Sequence, residues 1–292
     1  MNANEIKWVQ VENTTKCNAW CPGCGRNQRG FGLRPGLVIE DLNTQKFEEI
    51  LKLFPNLQVV QFCGTYGDFA AAKNVLEHVD VAISLAKKIQ IHTHGGIRNK
   101  QWWKQLAQRL ASIDHDVWFA IDGIKGIHEI YRQGTDYDKV IKNAKAFIEN
   151  GGSATWQFIP WEHNEHVLKD CMALSQKMGF KKFKLVKNVR TNFSGRHWRS
   201  GEPIEFKPWS LDNRFNRLVV PIKNQVVIED CMHLNLPSVY VNANGNISPC
   251  CYFNHLHAVD YFTDLPDLTQ SIPNKPQATC LHFCGSHAKI TQ

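Results

Sequence analysis

Three cysteines lie close together near the start of the chain, in the stretch CNAWCPGC at residues 17–24. A structural zinc ion takes four protein ligands, and an iron–sulfur cluster is usually held by four cysteines. Three neighbouring thiols leave one coordination position of a metal centre open, and an open position can bind a reacting molecule. The spacing therefore predicts a catalytic metal centre rather than a closed structural one.

The composition of the chain restricts the classes of protein to consider. Its 292 residues, 43% of them hydrophobic, suffice for one large α/β domain with a small appendage, or for two domains. The start, MNANEIKWVQ, lacks the pattern of a secretory signal, and no stretch is apolar enough to span a bilayer, so we expect a cytoplasmic protein without a membrane partner. In such a chain ten cysteines indicate metal binding or catalysis. The formal charge of +7 is spread along the sequence and gives little support to nucleic-acid binding.

Short β-rich segments alternate with longer segments of helical periodicity. The predicted strands are residues 6–12, 57–63, 89–94, 116–122, 154–160 and 182–188. The predicted helices lie near residues 41–53, 71–88, 99–112, 138–150 and 164–179. One βα unit per roughly 30 residues predicts a parallel sheet with helices outside, either doubly wound or curved into a partial barrel. In both folds the chemistry belongs at the carboxyl ends of the strands, and CNAWCPGC follows the first strand.

The ends of several predicted helices carry capping signals. Asn99, Asp138 and Asn164 are candidate N-caps, and Gly179 is placed to end its helix.

The pattern changes after residue 188, where the predicted core domain, residues 1–188, ends. Residues 189–225 combine turn residues, charges and aromatics without a clear period, so we expect an irregular connection there. The tail, residues 226–292, is too short for a core of its own, and a metal cluster would stabilise it. Within it, residues 238–251 predict a β-hairpin with Asn244-Gly245 as its turn.

The spacing of Cys17, Cys21 and Cys24, C-x3-C-x2-C, resembles that of the radical S-adenosylmethionine (radical SAM) enzymes. In that family the thiolates bind three irons of a [4Fe–4S] cluster, and SAM chelates the fourth. The resemblance implies an α/β fold, a partial (β/α)6 TIM-like barrel with a small C-terminal iron–sulfur domain. It also implies reductive cleavage of SAM to a 5′-deoxyadenosyl radical that abstracts hydrogen from a substrate. A one-electron reductant such as flavodoxin or ferredoxin is then expected as a partner.

The resemblance extends to the ends of the following strands. GTYGD, residues 64–68, resembles the glycine-rich segment that meets the methionyl amino group of SAM. The resemblance implies that Gly64, Thr65, Gly67 and Asp68 contact SAM. Thr93 is implied to lie near the ribose, Asp122 to accept ribose hydroxyls, and Arg132 to pair with a carboxylate. The alternatives are that GTYGD is an ordinary βα turn, that Asp122 is a capping residue and that Arg132 is a solvated side chain. Gly23 departs from the family, which often has an aromatic residue before the third cysteine.

The tail resembles the SPASM/twitch subgroup of that family. The first half of its signature matches Cys231, Gly245 and Cys250, with thirteen residues in the first gap and four in the second. Cys280-x3-Cys284 would close the signature. Five tail cysteines rather than seven imply the shorter twitch form, a β-hairpin plus helix with one auxiliary [4Fe–4S] cluster. The implied ligands are Cys231, Cys250, Cys280 and Cys284, and Cys251 is able to replace Cys250. A zinc site of the same thiols, with His282 or His287, is the alternative.

The sequence leaves the substrate open. No obvious peptide-recognition segment precedes the first strand, which favours a small molecule and an oxidation in which the auxiliary cluster accepts an electron. A peptide- or protein-modifying radical SAM enzyme is one alternative, and a zinc-stabilised protein that binds nucleic acid or another polyanion is another. Polar residues near predicted strand ends could line the pocket: Gln10, Glu12, Gln157, Glu162, His163, Lys187 and Arg190. For His94 we expect a core or capping role, and Cys63 and Cys171 are expected to be small core residues.

Overall fold

The computed structural model of the chain describes residues 3–186, 193–209, 226–227, 237–248, 251 and 289–290. The strands are β1 (Trp8–Val11), β2 (Val59–Phe62), β3 (Lys88–Thr93), β4 (Asp114–Ala120), β5 (Ala154–Phe158), β6 (Lys182–Leu185), β7 (Phe193–Arg196), β8 (Pro203–Phe206), β9 (Val226–Val227), β10 (Ser238–Val241), β11 (Ile247–Ser248) and β12 (Lys289–Ile290). The α-helices are α1 (Thr44–Lys52), α2 (Val75–Leu85), α3 (Lys100–Leu110), α4 (His128–Tyr131), α5 (Tyr137–Glu149) and α6 (Leu168–Met178).

An eight-stranded sheet forms the centre of the fold, in the order β11-β10-β1-β2-β3-β4-β5-β6. Strands β1 to β6 run parallel to one another in chain order, and a helix follows each of the first five. This arrangement confirms the predicted α/β fold with a partial TIM-like barrel.

The predicted hairpin at residues 238–251 is confirmed, since β10 and β11 pair antiparallel. Gly245 lies in its turn with φ of 82°, a left-handed conformation that favours glycine. Strand β10 also pairs with β1, in parallel, so that the hairpin extends the sheet of the barrel. The domain boundaries that we predict from the sequence stay a prediction.

The two faces of the sheet differ in chemistry because strand side chains alternate. On one face Val9, Val60, Ile89, Val117 and Trp156 are fully buried and belong to the main hydrophobic core, together with residues of the helices. On the other face, here called the inner face, the register aligns side chains that are mostly polar: Trp8, Gln10, Gln61, Gln90, His92, Asp116, Trp118, Gln157 and Lys184.

The predicted helix ends are partly right. Asn99 caps α3 by accepting a hydrogen bond from the Trp102 amide, and Gly179 ends α6 in a left-handed conformation. Asp138 is wrong as an N-cap, because Asp136 caps α5 and Asp138 lies in its first turn. Asn164 makes no capping side-chain bond either, since its amide is used in contacts with other backbone groups.

A second hairpin lies inside the segment for which the sequence predicts an irregular connection. Strands β7 and β8 pair antiparallel, and Phe193 and Phe206 stack with their ring centroids 5.0 Å apart. No helix in the described ranges is long and apolar enough to cross a membrane.

Candidate functional site

The three cysteines of CNAWCPGC lie in the loop that follows β1, at the carboxyl edge of the sheet. Cys21 is buried, and Cys17 and Cys24 are half-buried. The side-chain amide of Asn27 braces this loop by donating hydrogen bonds to the backbone oxygens of Ala19 (3.3 Å) and Cys21 (3.2 Å). Asn27 was not predicted, and its position three residues after the last cysteine is the only local signal for it.

The thiols rest on a small hydrophobic cluster separate from the main core. Tyr131, Trp161 and Phe206 form its aromatic part, so that hairpin β7–β8 covers the cysteine loop. This environment excludes water and raises the pKa of the Cys21 thiol to about 11, mainly through burial. Burial also raises the pKa of Cys17, and the negative charge of Asp68 adds to the effect. Metal binding would therefore have to displace protons from these thiols.

The arrangement of the thiols can be tested against the metal centres proposed for them. In the part of the chain that the structure describes, no three Cys, His, Asp or Glu side chains converge as the ligands of a single metal ion do. In a [4Fe–4S] cluster each cysteine binds a different iron, so the thiolates stand farther apart. Cys17, Cys21 and Cys24 are still near enough to one another for charge on Cys24 to raise the pKa of both others. The three thiols therefore lie near one another in one loop, as a cluster that takes one thiolate per iron requires.

The GTYGD loop follows β2 and packs directly on the cysteine loop. A Cβ atom at Gly67 would lie 1.8 Å from the carbonyl oxygen of Thr14, so only glycine permits this approach. The backbone amides of Tyr66 and Gly67 donate hydrogen bonds to the carboxylate of Glu12, which is fully buried. Burial raises the pKa of Glu12 to about 7. Glu12 therefore braces the loop from below rather than facing an open pocket.

Asp68 joins the ends of β2 and β3. Its carboxylate accepts hydrogen bonds from the Thr93 hydroxyl (2.9 Å) and the His94 amide (2.8 Å), and it caps the short helix Phe69–Ala71 through the Ala70 amide. The Thr93 hydroxyl also accepts a hydrogen bond from Gly95. Asp68 and Thr93 thus lie together, as the sequence predicts, and their polar atoms are already engaged with each other. His94 is buried, and its Nδ1 accepts a hydrogen bond from the Gly96 amide.

Asp122 and Arg132 form a buried ion pair beside Cys21. The Arg132 Nε lies 2.6 Å from Asp122 Oδ2, while Oδ1 accepts a hydrogen bond from the Ile159 amide. Arg132 Nη1 lies 4.0 Å from the Cys21 sulfur, and its positive charge lowers the pKa of that thiol against the larger effect of burial. Arg132 therefore does pair with a carboxylate, but the carboxylate belongs to Asp122.

The other residues suggested for the pocket are distributed differently. Gln10 and Gln157 lie on the inner face, whereas Glu162 is exposed near Lys207 (3.8 Å) and His163 packs on the ring of Phe206. Lys187 and Arg190 lie outside the described residues. Of the remaining thiols, Cys171 is buried in the core as predicted, and Cys63 is half-buried.

Two contacts at this edge come from parts of the chain that sequence reasoning did not connect with it. The hydroxyl of Tyr240, in β10, lies 2.9 Å from the Thr65 hydroxyl. Trp20, between the first two cysteines, stacks on Trp198, with ring centroids 5.6 Å apart. No sequence signal links these pairs, because each joins segments more than 170 residues apart.

The predicted auxiliary ligands lie mostly outside the described residues, namely Cys231, Cys250, Cys280 and Cys284. Cys251 is described and half-buried, and its charge contributes to the raised pKa of Tyr240, which is caused mainly by burial.

No protein-family model and no curated protein matches the chain. Among solved structures, SuiB of Streptococcus suis bound to S-adenosylmethionine is similar, with 12% identity and a TM-score of 0.62 over 87% of this chain and 63% of that one. Native anSMEcpe with bound AdoMet, which is S-adenosylmethionine, is similar over 97% of this chain and 84% of that one, with 14% identity and a TM-score of 0.60. The chain thus spans less than two thirds of SuiB. The chain has the fold of radical SAM enzymes.

Proposed function

We propose that the protein is a radical SAM enzyme. Cys17, Cys21 and Cys24 would hold a [4Fe–4S] cluster, and SAM would bind at the carboxyl edge of the sheet beside the GTYGD loop. Cluster and SAM together supply reductive cleavage and a hydrogen-abstracting radical, and the electron would come from a one-electron reductant such as flavodoxin or ferredoxin.

One observation carries this proposal. The three thiols lie together in the loop after β1, and the GTYGD loop packs on that loop so closely that Gly67 admits no side chain. In the same loop the backbone carbonyl of Thr65 lies 3.9 Å from the Cys24 sulfur, so backbone groups of this loop would face a ligand at the thiols.

The side chains around the thiols have defined tasks in this proposal. The aromatic cluster of Tyr131, Trp161 and Phe206 excludes water, which protects reactive species from side reactions. Arg132 places a positive charge beside Cys21 and so favours its thiolate. Glu12 and Asp68 hold the backbone of the GTYGD loop, and through it the approach of a ligand to the thiols.

For the substrate we propose a small molecule that is oxidised, with an auxiliary [4Fe–4S] cluster on Cys231, Cys250, Cys280 and Cys284. The support is the sequence of the tail, where four cysteines leave no vacant iron and a cluster could accept one electron.

A peptide substrate is the second candidate, and specific solved structures favour it. SuiB was solved bound to its precursor peptide SuiA, with 15% identity and a TM-score of 0.60 to this chain. Native anSMEcpe was solved with AdoMet and the Cp18Cys peptide, with 14% identity and a TM-score of 0.58.

The proposed function is tested on anaerobically purified protein, supplied with iron, sulfide, SAM and dithionite. We expect brown protein, and formation of 5′-deoxyadenosine that is lost when Cys17, Cys21 and Cys24 are all changed to Ala. Cys171→Ala is the matched control, because it removes a buried thiol from α6 in the main core. Undiminished 5′-deoxyadenosine from the triple variant, or colourless protein that binds zinc at the same thiols, would contradict the proposal.

A further inference from the structure

The inner face of the sheet is unusual for the inside of a barrel. TIM-barrel interiors are filled by layers of branched apolar side chains. Here adjacent strands bring Gln10, Gln61, Gln90 and Asp116 into one row, because each is the register partner of the next. Gln61, Gln90 and Asp116 are half-buried rather than sealed in a core, so water or a polar ligand can reach them.

Gln61 is held in place by Gln90 and by two further side chains of the inner face, Trp8 and His92. Gln61 Nε2 lies 3.1 Å from both Gln90 Oε1 and His92 Nε2, and Gln61 Oε1 accepts a hydrogen bond from Trp8 (3.2 Å). Because the Gln61 amide donates to His92, this imidazole nitrogen accepts and the ring is neutral. Burial lowers the pKa of His92 to about 4, and the charge of Lys184 adds to that effect. The row is therefore ordered and carries no positive charge of its own.

Lys184 supplies a positive charge at the carboxyl end of this face, on the edge strand β6. It is the register partner of Gln157 near the carboxyl ends of β5 and β6. Its ammonium lies 4.3 Å from the ring centroid of Trp118, whose indole is held by a hydrogen bond to Asp116 (2.8 Å) and by contact with His92 (4.5 Å between centroids). A ring of this kind positions a cation without neutralising it.

Lys184 also differs from the lysines that form ion pairs. The ion-paired lysines of the described ranges are Lys16, Lys52, Lys88, Lys125, Lys145 and Lys207. Among the residues that the structure describes, Lys184 meets no carboxylate within ion-pairing distance. The carboxylate of Asp116 lies deeper along its strand and accepts hydrogen bonds from Thr155 and Trp118. Lys184 is also exposed, so its ammonium, placed by the Trp118 ring, is accessible to an anion.

We propose that the inner face binds a low-molecular-weight substrate that carries a carboxylate or a phosphate, and that Lys184 binds this anionic group while the amide row contacts the polar remainder. This inference rests on the proposed function and adds the chemical class of the substrate. Lys184 is a specificity-determining residue in this proposal.

The first experiment identifies the substrate. Cell extract is divided by ultrafiltration into a macromolecular and a small-molecule fraction, and the latter is separated on an anion exchanger at alkaline pH, where zwitterionic carboxylates are retained too. Each fraction is incubated with the anaerobic enzyme, SAM and dithionite. Mass spectrometry is expected to show consumption of a compound from the retained fraction. Prior phosphatase treatment separates the two sources, since it removes a phosphate-bearing substrate and spares a carboxylate.

The second experiment measures binding of that compound to the SAM-loaded protein by calorimetry. A charge-assisted hydrogen bond is worth about 1.5–3 kcal/mol, so Lys184→Met is expected to weaken binding roughly 10- to 100-fold. The methyl ester or dephosphorylated form of the compound should bind the wild type more weakly by a similar factor. Its affinity for Lys184→Met should be little lower than that of the intact compound. Lys181→Met is the matched control, because Lys181 is exposed just before the same strand.

The outcomes separate this inference from the proposed function. Substrate consumption from the unretained fraction, or unchanged affinity of Lys184→Met, overturns the anionic substrate while SAM cleavage by the wild type persists. Consumption only from the macromolecular fraction of the extract overturns it as well. Failure of the wild type to cleave SAM at all overturns the proposed function, and this inference falls with it.

Discussion

The ion pair between Asp122 and Arg132 should be far more important for stability than its geometry alone indicates. Asp122 is fully buried and the Arg132 side chain is 14% exposed. The chain offers a matched comparison in Asp80 and Arg109, a pair at 2.6 Å whose side chains are 52% and 41% exposed. The two pairs have the same chemistry and nearly the same length, so they differ mainly in burial.

Arg132→Met leaves the carboxylate of Asp122 buried without its cation. Breaking a buried pair in this way costs about 3–5 kcal/mol, because the remaining charge is neither hydrated nor compensated. Arg109→Met should cost about 0–1 kcal/mol, since water screens the exposed Asp80. The hydrogen bond from the Ile159 amide to Asp122 offsets part of the first cost, which favours the lower end of its range.

Urea unfolding under anaerobic conditions, followed by tryptophan fluorescence, measures these free energies of unfolding. A double variant, Asp122→Asn with Arg132→Met, removes both charges and should recover much of the stability that Arg132→Met loses. Equal effects of Arg132→Met and Arg109→Met, or a double variant less stable than Arg132→Met, would refute the reasoning from burial.

Three further predictions concern the loop and the tail. The raised pKa of Glu12 means that its carboxyl keeps a proton in the folded state between pH 4.5 and about 7, so its own contribution to stability should fall by about 3 kcal/mol as the pH rises through that window. His78, His92 and His163, whose pKa is lowered to about 4, change the total stability in the opposite direction, so urea titrations should show the fall as a difference between the wild type and Glu12→Gln. Gly67→Ala should weaken SAM binding roughly tenfold in equilibrium dialysis, because its Cβ overlaps Thr14 and overpacking costs about 1–3 kcal/mol. Gly151→Ala is the control: its φ of 88° strains alanine just after α5, but its Cβ meets no atom within 4 Å, so SAM affinity should stay unchanged, and equal affinities of the two variants would contradict the proposed loop contact. Changing Cys280 and Cys284 to Ala should preserve SAM cleavage while oxidised product disappears, and normal product yield from a folded variant would eliminate the electron-acceptor role.

Local sequence patterns define the order of the elements and the spacing of the cysteines. Alternating apolar residues and capping residues act over a few positions, so the strands β1 to β6 and the longer helices between them could be predicted to within a few residues, whereas the one-turn helix α4 was missed. The rule that parallel strands end at one edge then placed Cys17, Gly67, Thr93 and Asp122 at one edge of the sheet. These inferences needed no knowledge of contacts between distant segments.

Only the folded structure shows which of those polar side chains are hydrogen-bond or ion-pair partners. Asp68 binds Thr93, Asp122 binds Arg132 beside Cys21, and Glu12 is buried under the loop that it braces. The pairing of β10 with β1 likewise joins segments 230 residues apart, as Trp8 and Ser238 are register partners. A local pattern shows that a polar side chain exists and on which face of a strand it lies. Its partner depends on register and packing across the sheet, which become defined only when distant segments meet.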